Sequence, residues 1–197
     1  MRALPDPSLK RSDNVRSLQI AAHAMPTTHS SELPEGALLK RYELSGAYTD
    51  CYYMDLPNAI TMAEYVASFY TTPLFKIERH ILALILGKRS TDMNAQELAL
   101  GQVSEFSAWR VEGRATNQLL LCDVLGRTRS WLMVKSMDSA TSRPTRLYFG
   151  SAVIPKSRSS KGEPSFGIAF HALSGFHRLY TKALMQAAQS KLLKVTS

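Results

Sequence analysis

The sequence predicts an α+β domain: an antiparallel sheet packed against a long C-terminal helix, with a helix pair inserted after the first strand. Three observations predict it. Helical periods with start and stop signals fill residues 61–100, four strand-like segments bounded by turn residues fill 106–154, and an amphipathic run closes the chain over 170–194. At 197 residues, the chain suits one domain with a tail and can bury a substantial core.

Residues 1–35 carry four prolines and polar clusters without a sustained period, and they read as a flexible N-terminal arm. A short helix around 15–24 is the one element the arm could hold, and the domain is expected over 36–197. Two extended segments are read next, over 38–44 and 47–55. In the second, Tyr48, Asp50, Tyr52 and Met54 alternate with Thr49, Cys51, Tyr53 and Asp55, the period of a strand. Neighbouring Asp50 and Cys51 therefore point to opposite faces and cannot act together on one atom.

Thr61-Met62-Ala63-Glu64 has the form of a capping box, which opens a helix through Tyr70. Thr72 then serves as a new N-cap with Pro73 at the first helical position. Leu74, Ile77, Ile81, Leu84 and Ile85 recur at helical spacing and are expected on the core side, with Gly87 as the stop. A shorter helix is read over 92–100.

The four strands that follow are read at 106–113, 118–125, 128–137 and 145–154. Gly126-Arg127 is read as a two-residue turn, which sets Asp123 opposite Ser130 and Cys122 opposite Trp131. Leu119, Leu121 and Asp123 then share a face with Ser130, Leu132 and Val134, while Leu120, Cys122 and Val124 share the other with Arg129, Trp131 and Met133. Both faces are largely apolar, so one must meet helices and the other a second layer, a partner subunit or a ligand. A basic loop at 155–164 leads to the last helix, with Leu173, Phe176, His177, Tyr180 and Leu184 on its apolar stripe.

Composition excludes several classes. Two cysteines, Cys51 and Cys122, are too few for a disulfide framework and fit a reducing cytoplasm. Five scattered histidines form no metal-binding spacing, so neither metal nor cofactor is expected. The apolar run 81–86 is far short of the roughly 20 residues of a membrane-spanning helix, and no signal peptide is read at the N-terminus. The formal charge of +8 would suit an anionic partner, but no RNA-binding aromatic block, zinc module or recognition helix accompanies it, and nucleic acid is not expected as a partner.

The element order resembles the helix-grip fold of START lipid-transfer domains and polyketide cyclases. The stretches FYTTPLFKIER, GRTRSWLMV, TRLYFGSAV and GFHRLYTKAL also resemble an uncharacterised bacterial family related to that fold. The resemblance implies a cavity between a curved sheet and the C-terminal helix, suited to a small apolar or aromatic molecule. The sequence departs from the fold's usual six strands after the helices, since four are read here.

Within that frame, Asp50, Asp123 and His177 are the candidate acid/base residues. Tyr48, Tyr52, Trp109, Arg110, Arg114, Ser130, Trp131, Tyr148 and Tyr180 are the candidate ligand contacts. Each has a bland alternative: Asp123 stands three residues before Gly126 and can serve the turn, the tryptophans can be core, and Cys51 reads as inert packing. The leading expectation is binding of a small molecule in that cavity. The alternatives are a metal-independent cyclase, isomerase or hydrolase, and a homodimer joined through the second sheet face.

Overall fold

A computed structural model of the protein describes residues 27–137, 143–155, 157–158, 164–165 and 168–195. The side chains of residues 85–86, 157–158, 164–165, 168–177 and 195 lie outside the described residues, as do residues 1–26 of the N-terminal arm. The fold is α+β, an antiparallel sheet with a long C-terminal helix packed against it. Its elements run β1 (His29–Ser30), α1 (Lys40–Leu44), β2 (Tyr48–Leu56), α2 (Met62–Tyr70), α3 (Pro73–Leu86), α4 (Asp92–Ala99), β3 (Glu105–Phe106), β4 (Trp109–Ala115), β5 (Gln118–Asp123), β6 (Thr128–Ser136), β7 (Thr145–Val153), β8 (Ser157–Arg158), β9 (Pro164–Ser165) and α5 (Ile168–Val195). Among the described residues the main sheet has seven strands in the order β1-β2-β7-β6-β5-β4-β3. Five of them follow the helices, because the segment read as one strand over 106–113 divides at Ser107, whose φ is 53°.

The local signals act as their chemistry requires. Thr61 accepts from the Glu64 N–H while Glu64 reaches back to the Thr61 N–H, which satisfies two donors at the start of α2. Thr72 accepts from Phe75 N–H at 3.1 Å with Pro73 behind it, and Gly87 ends α3 at φ 68°. Thr91 and Asn94 form an equivalent box on α4.

Two readings change. Residues 40–44, expected to be extended, form the short helix α1; Lys40 pairs with Glu43 one turn on, and Gly46 at φ 80° turns the chain into β2. The β5–β6 register also differs by two residues: Leu121 lies opposite Ser130 and Cys122 opposite Arg129. The cause is Asp123. Its carboxylate accepts from Arg127 N–H at 2.7 Å and Thr128 Oγ1 at 3.0 Å, closing a loop wider than a two-residue turn. A shift of two leaves every side chain on its expected face.

The sheet's two faces are covered differently. On one, Tyr52, Met54, Leu56, Leu119, Leu121, Leu132, Leu147 and Phe149 pack against α2, α4 and α5. Aromatic residues of α2 are also pinned to the strands: Tyr65 Oη donates to Tyr148 O at 3.2 Å, and Tyr70 Oη bonds Ser130 Oγ at 3.0 Å. On the other face, the chain's own segment 33–42 supplies the second layer. Leu33, Ala37 and Leu39 cover Cys51, Leu120, Trp131, Met133 and Tyr148. Gln118 fastens this segment, accepting from Leu38 N–H and Trp131 Nε1–H at 2.9 Å each and donating to Gly36 O at 3.0 Å. Gly150 lets it come close: a Cβ there would stand 2.9 Å from Leu39 Cδ2 and 3.0 Å from Trp131 Cε3.

Helix α3 departs from its expected orientation. Phe75 and Arg79 face inward, while Ile77 and Ile81 are 60% and 51% exposed and Leu84 also faces outward. Two tertiary contacts outweigh the apolar period. Phe75 meets Phe69, Tyr70 and Phe106, and Arg79 donates to Thr91 O at 3.0 Å and Asp92 at 2.7 Å. The side of α3 that carries Leu74, Ile77 and Ile81 consequently borders a cleft.

Candidate functional site

That cleft has a volume of about 560 Å3 and lies between α3, α5 and the helix-side face of β6 and β7. Its described wall is chiefly apolar, with Leu74, Ile77 and Ile81 from α3, Phe149 from β7, Trp109 from β4 and Leu184 from α5. Ser130 and Ser151 contribute hydroxyls from the sheet. The acidic side chain in the wall is Glu78, which accepts a hydrogen bond from Tyr180 Oη across the cleft. Burial holds the Glu78 carboxyl above its ordinary range, against the opposing hydrogen bond from Tyr180. The Tyr180 phenol is likewise pushed up, by burial and by the charge of Glu78.

Of the residues singled out from sequence, Trp109, Ser130 and Tyr180 line this cleft. Tyr48, Asp50 and Tyr52 lie on the same side of the sheet by alternation with buried Met54 and Leu56, outside the described wall. Asp50 is engaged by its strand partner: Oδ1 accepts from Ser151 N–H at 3.0 Å and Ser151 Oγ at 2.6 Å. Asp123 serves the β5–β6 loop and does not reach the cleft wall. The two carboxylates therefore do not converge. The side chain of His177 lies outside the described residues.

Four expected ligand contacts point elsewhere. Trp131 and Tyr148 occupy the opposite face, ring centroids 6.2 Å apart, beneath segment 33–42; strand alternation alone sends them there. Arg110 is exposed, paired in register with buried Cys122 on the face away from the cleft. Arg114 donates to Leu98 O at 2.7 Å, satisfying a carbonyl at the end of α4. Arg129 borders the cleft through its strand, but its guanidinium lies on the far face, 2.6 Å from Glu112 and 2.8 Å from Tyr42 Oη.

Cys51 also faces away from the cleft. It is buried against segment 33–42, and burial is the main cause that pushes its thiol up to about 11, while a contact from Ser31 Oγ opposes the shift.

Sequence reasoning missed Glu78 and Thr181. Glu78 had a readable signal: it stands four residues after Leu74 and three before Ile81, a carboxylate inside an apolar helical stripe. Thr181 is fully buried in the cleft wall, and neither its hydroxyl nor the Trp109 indole N–H has a hydrogen-bond partner among the described residues. Among the described residues, no cluster of acidic, His or Cys side chains could hold a metal ion, and no helix is long and apolar enough to cross a membrane. No protein-family model matches the chain, and comparisons with curated proteins and with solved structures return no match.

Proposed function

We propose that the protein binds a small, largely apolar or aromatic molecule in the cleft between sheet and C-terminal helix. The observation that carries this reading is the cleft itself, about 560 Å3 with a chiefly apolar wall. That size falls within the roughly 300–1,000 Å3 of ordinary small-molecule sites. An apolar helix stripe turned towards open space, as on α3, is costly unless something covers it. The helix-grip resemblance of the sequence favours the same place, since carriers of that fold hold their ligands between sheet and last helix.

The alternatives gain less from the geometry. Asp50 and Asp123 both stand outside the described cleft wall, Asp50 bonded to Ser151 and Asp123 to the β5–β6 loop, so two of the three acid/base candidates, Asp50, Asp123 and His177, draw no support from the cleft. The second apolar face of the sheet is occupied by segment 33–42, which takes away the reason for a dimer through that face. Both cysteines are free thiols, consistent with the reducing cytoplasm we infer as its setting.

The test is native mass spectrometry of protein purified without detergent from its own host, together with titration of naphthylmethanol. A co-purified small molecule, absent when Leu82→Trp fills the cleft from its place in the α3 wall, is the expected result. Absence of both a bound molecule and any naphthylmethanol binding would overturn the reading.

A further inference from the structure

Resting on that reading, we propose that the ligand carries a basic nitrogen on an apolar body, and that Glu78, held by Tyr180, receives it. The carboxylate comes from α3 and Tyr180 from α5, so one hydrogen bond joins the two helical walls of the cleft. Tyr180 orients the carboxylate but brings no positive charge.

No described cation supplies the missing charge. On Glu78's own helix, Lys76 and Arg79 both turn to Asp92, at 2.5 and 2.7 Å. On α5, Arg178 and Lys182 are exposed, and Lys191 reaches back to Thr71. On the sheet, Arg129 is held on the far face by Glu112 and Tyr42. Burial pushes the Glu78 carboxyl up, and the hydrogen bond from Tyr180 opposes that shift. A carboxylate in an apolar wall without a counter-ion is an unfavourable arrangement for the empty protein.

A ligand ammonium would correct it. It brings the missing charge and donors for the carboxylate, while its apolar body lies against Leu74, Ile81, Trp109 and Phe149. A carboxylate or phosphate ligand meets the reverse situation: like charge at Glu78, and no described basic side chain directed into the cleft. The neighbouring hydroxyls of Ser130 and Ser151 are already engaged, by Tyr70 and Asp50, which leaves Glu78 as the principal charge-selecting group.

The experiment compares three probes of one shape on the full-length chain at neutral pH by isothermal titration calorimetry: naphthylmethylamine, naphthylmethanol and naphthoate. The amine should bind about tenfold or more tighter than the alcohol, the yield of one charge-assisted hydrogen bond, with naphthoate weakest. Glu78→Gln should bring the amine down to the affinity of the alcohol. If the wild-type protein binds alcohol and amine equally, or prefers naphthoate, the inference is overturned while the cleft reading survives. Persistence of the amine preference in Glu78→Gln also overturns it. If none of the probes binds, this inference is overturned, and if no molecule co-purifies either, the cleft reading falls with it. The wild-type ranking is decisive even if Glu78→Gln fails to fold.

Discussion

Replacing Gly150 by alanine tests how closely segment 33–42 is seated on the sheet. The added methyl would meet Asp50 O and Leu39 Cδ2 at 2.9 Å and Trp131 Cε3 at 3.0 Å. The first obstacle is backbone in the paired strand, and the indole is fixed by its bond to Gln118, so only Leu39 can yield. Overpacking of this kind costs about 1–3 kcal/mol. For a domain of this size, about 2 kcal/mol lowers Tm by roughly 4–8 °C. Thermal unfolding followed by circular dichroism reads this directly. Leu39→Ala removes the one movable obstacle and creates a cavity at a cost of about 2–5 kcal/mol. Because the two positions touch, the double variant should be less destabilised than the sum of the single changes by about 1 kcal/mol. A Gly150→Ala protein whose Tm stays within a degree of wild type, or strictly additive costs, would refute the close seating of Leu39 over Gly150.

Asp123→Ala should cost about 1 kcal/mol through loss of its two loop hydrogen bonds, seen as a modest fall in Tm, while leaving naphthylmethanol affinity unchanged; impaired binding would assign Asp123 to the site after all. Neither cysteine should react with a thiol reagent in the native protein at neutral pH, because both are buried and the Cys51 thiol is raised to about 11. That sign means the thiolate form appears only as pH approaches the raised value, so rapid native labelling at pH 7 would contradict the packing of Cys51; denatured protein should label at both positions.

What the sequence disclosed was local chemistry. Thr61 with Glu64, Thr72 with Pro73, and Gly87 each act within one helical turn, so neighbouring residues suffice to read them. Strand alternation likewise sends Cys51 and Asp50 to opposite faces whatever the rest of the chain does. Contacts distant in sequence were not legible. Arg79 is drawn inward by Thr91 and Asp92, and that rotation of α3 outweighs an apolar period that pointed the other way. Nothing local told that Leu39 would close over Gly150 and Trp131, or that Asp123 would widen the β5–β6 loop. The Glu78–Tyr180 pair joins residues 102 positions apart, and neither helix alone reveals it.

The two tryptophans stand on opposite sides of one sheet. Trp131 lies under segment 33–42 with its indole N–H on Gln118, and Trp109 forms part of the cleft wall. The protein thus carries two separate optical reporters. With Trp131→Phe, the remaining emission follows occupancy of the cleft; with Trp109→Phe, it follows lifting of the N-terminal cover. Because the Trp109 indole nitrogen is buried without a partner among the described residues, its replacement by Phe forfeits no hydrogen bond seen there. Ligand entry and cover movement can therefore be timed independently in a single stopped-flow experiment, without an extrinsic dye.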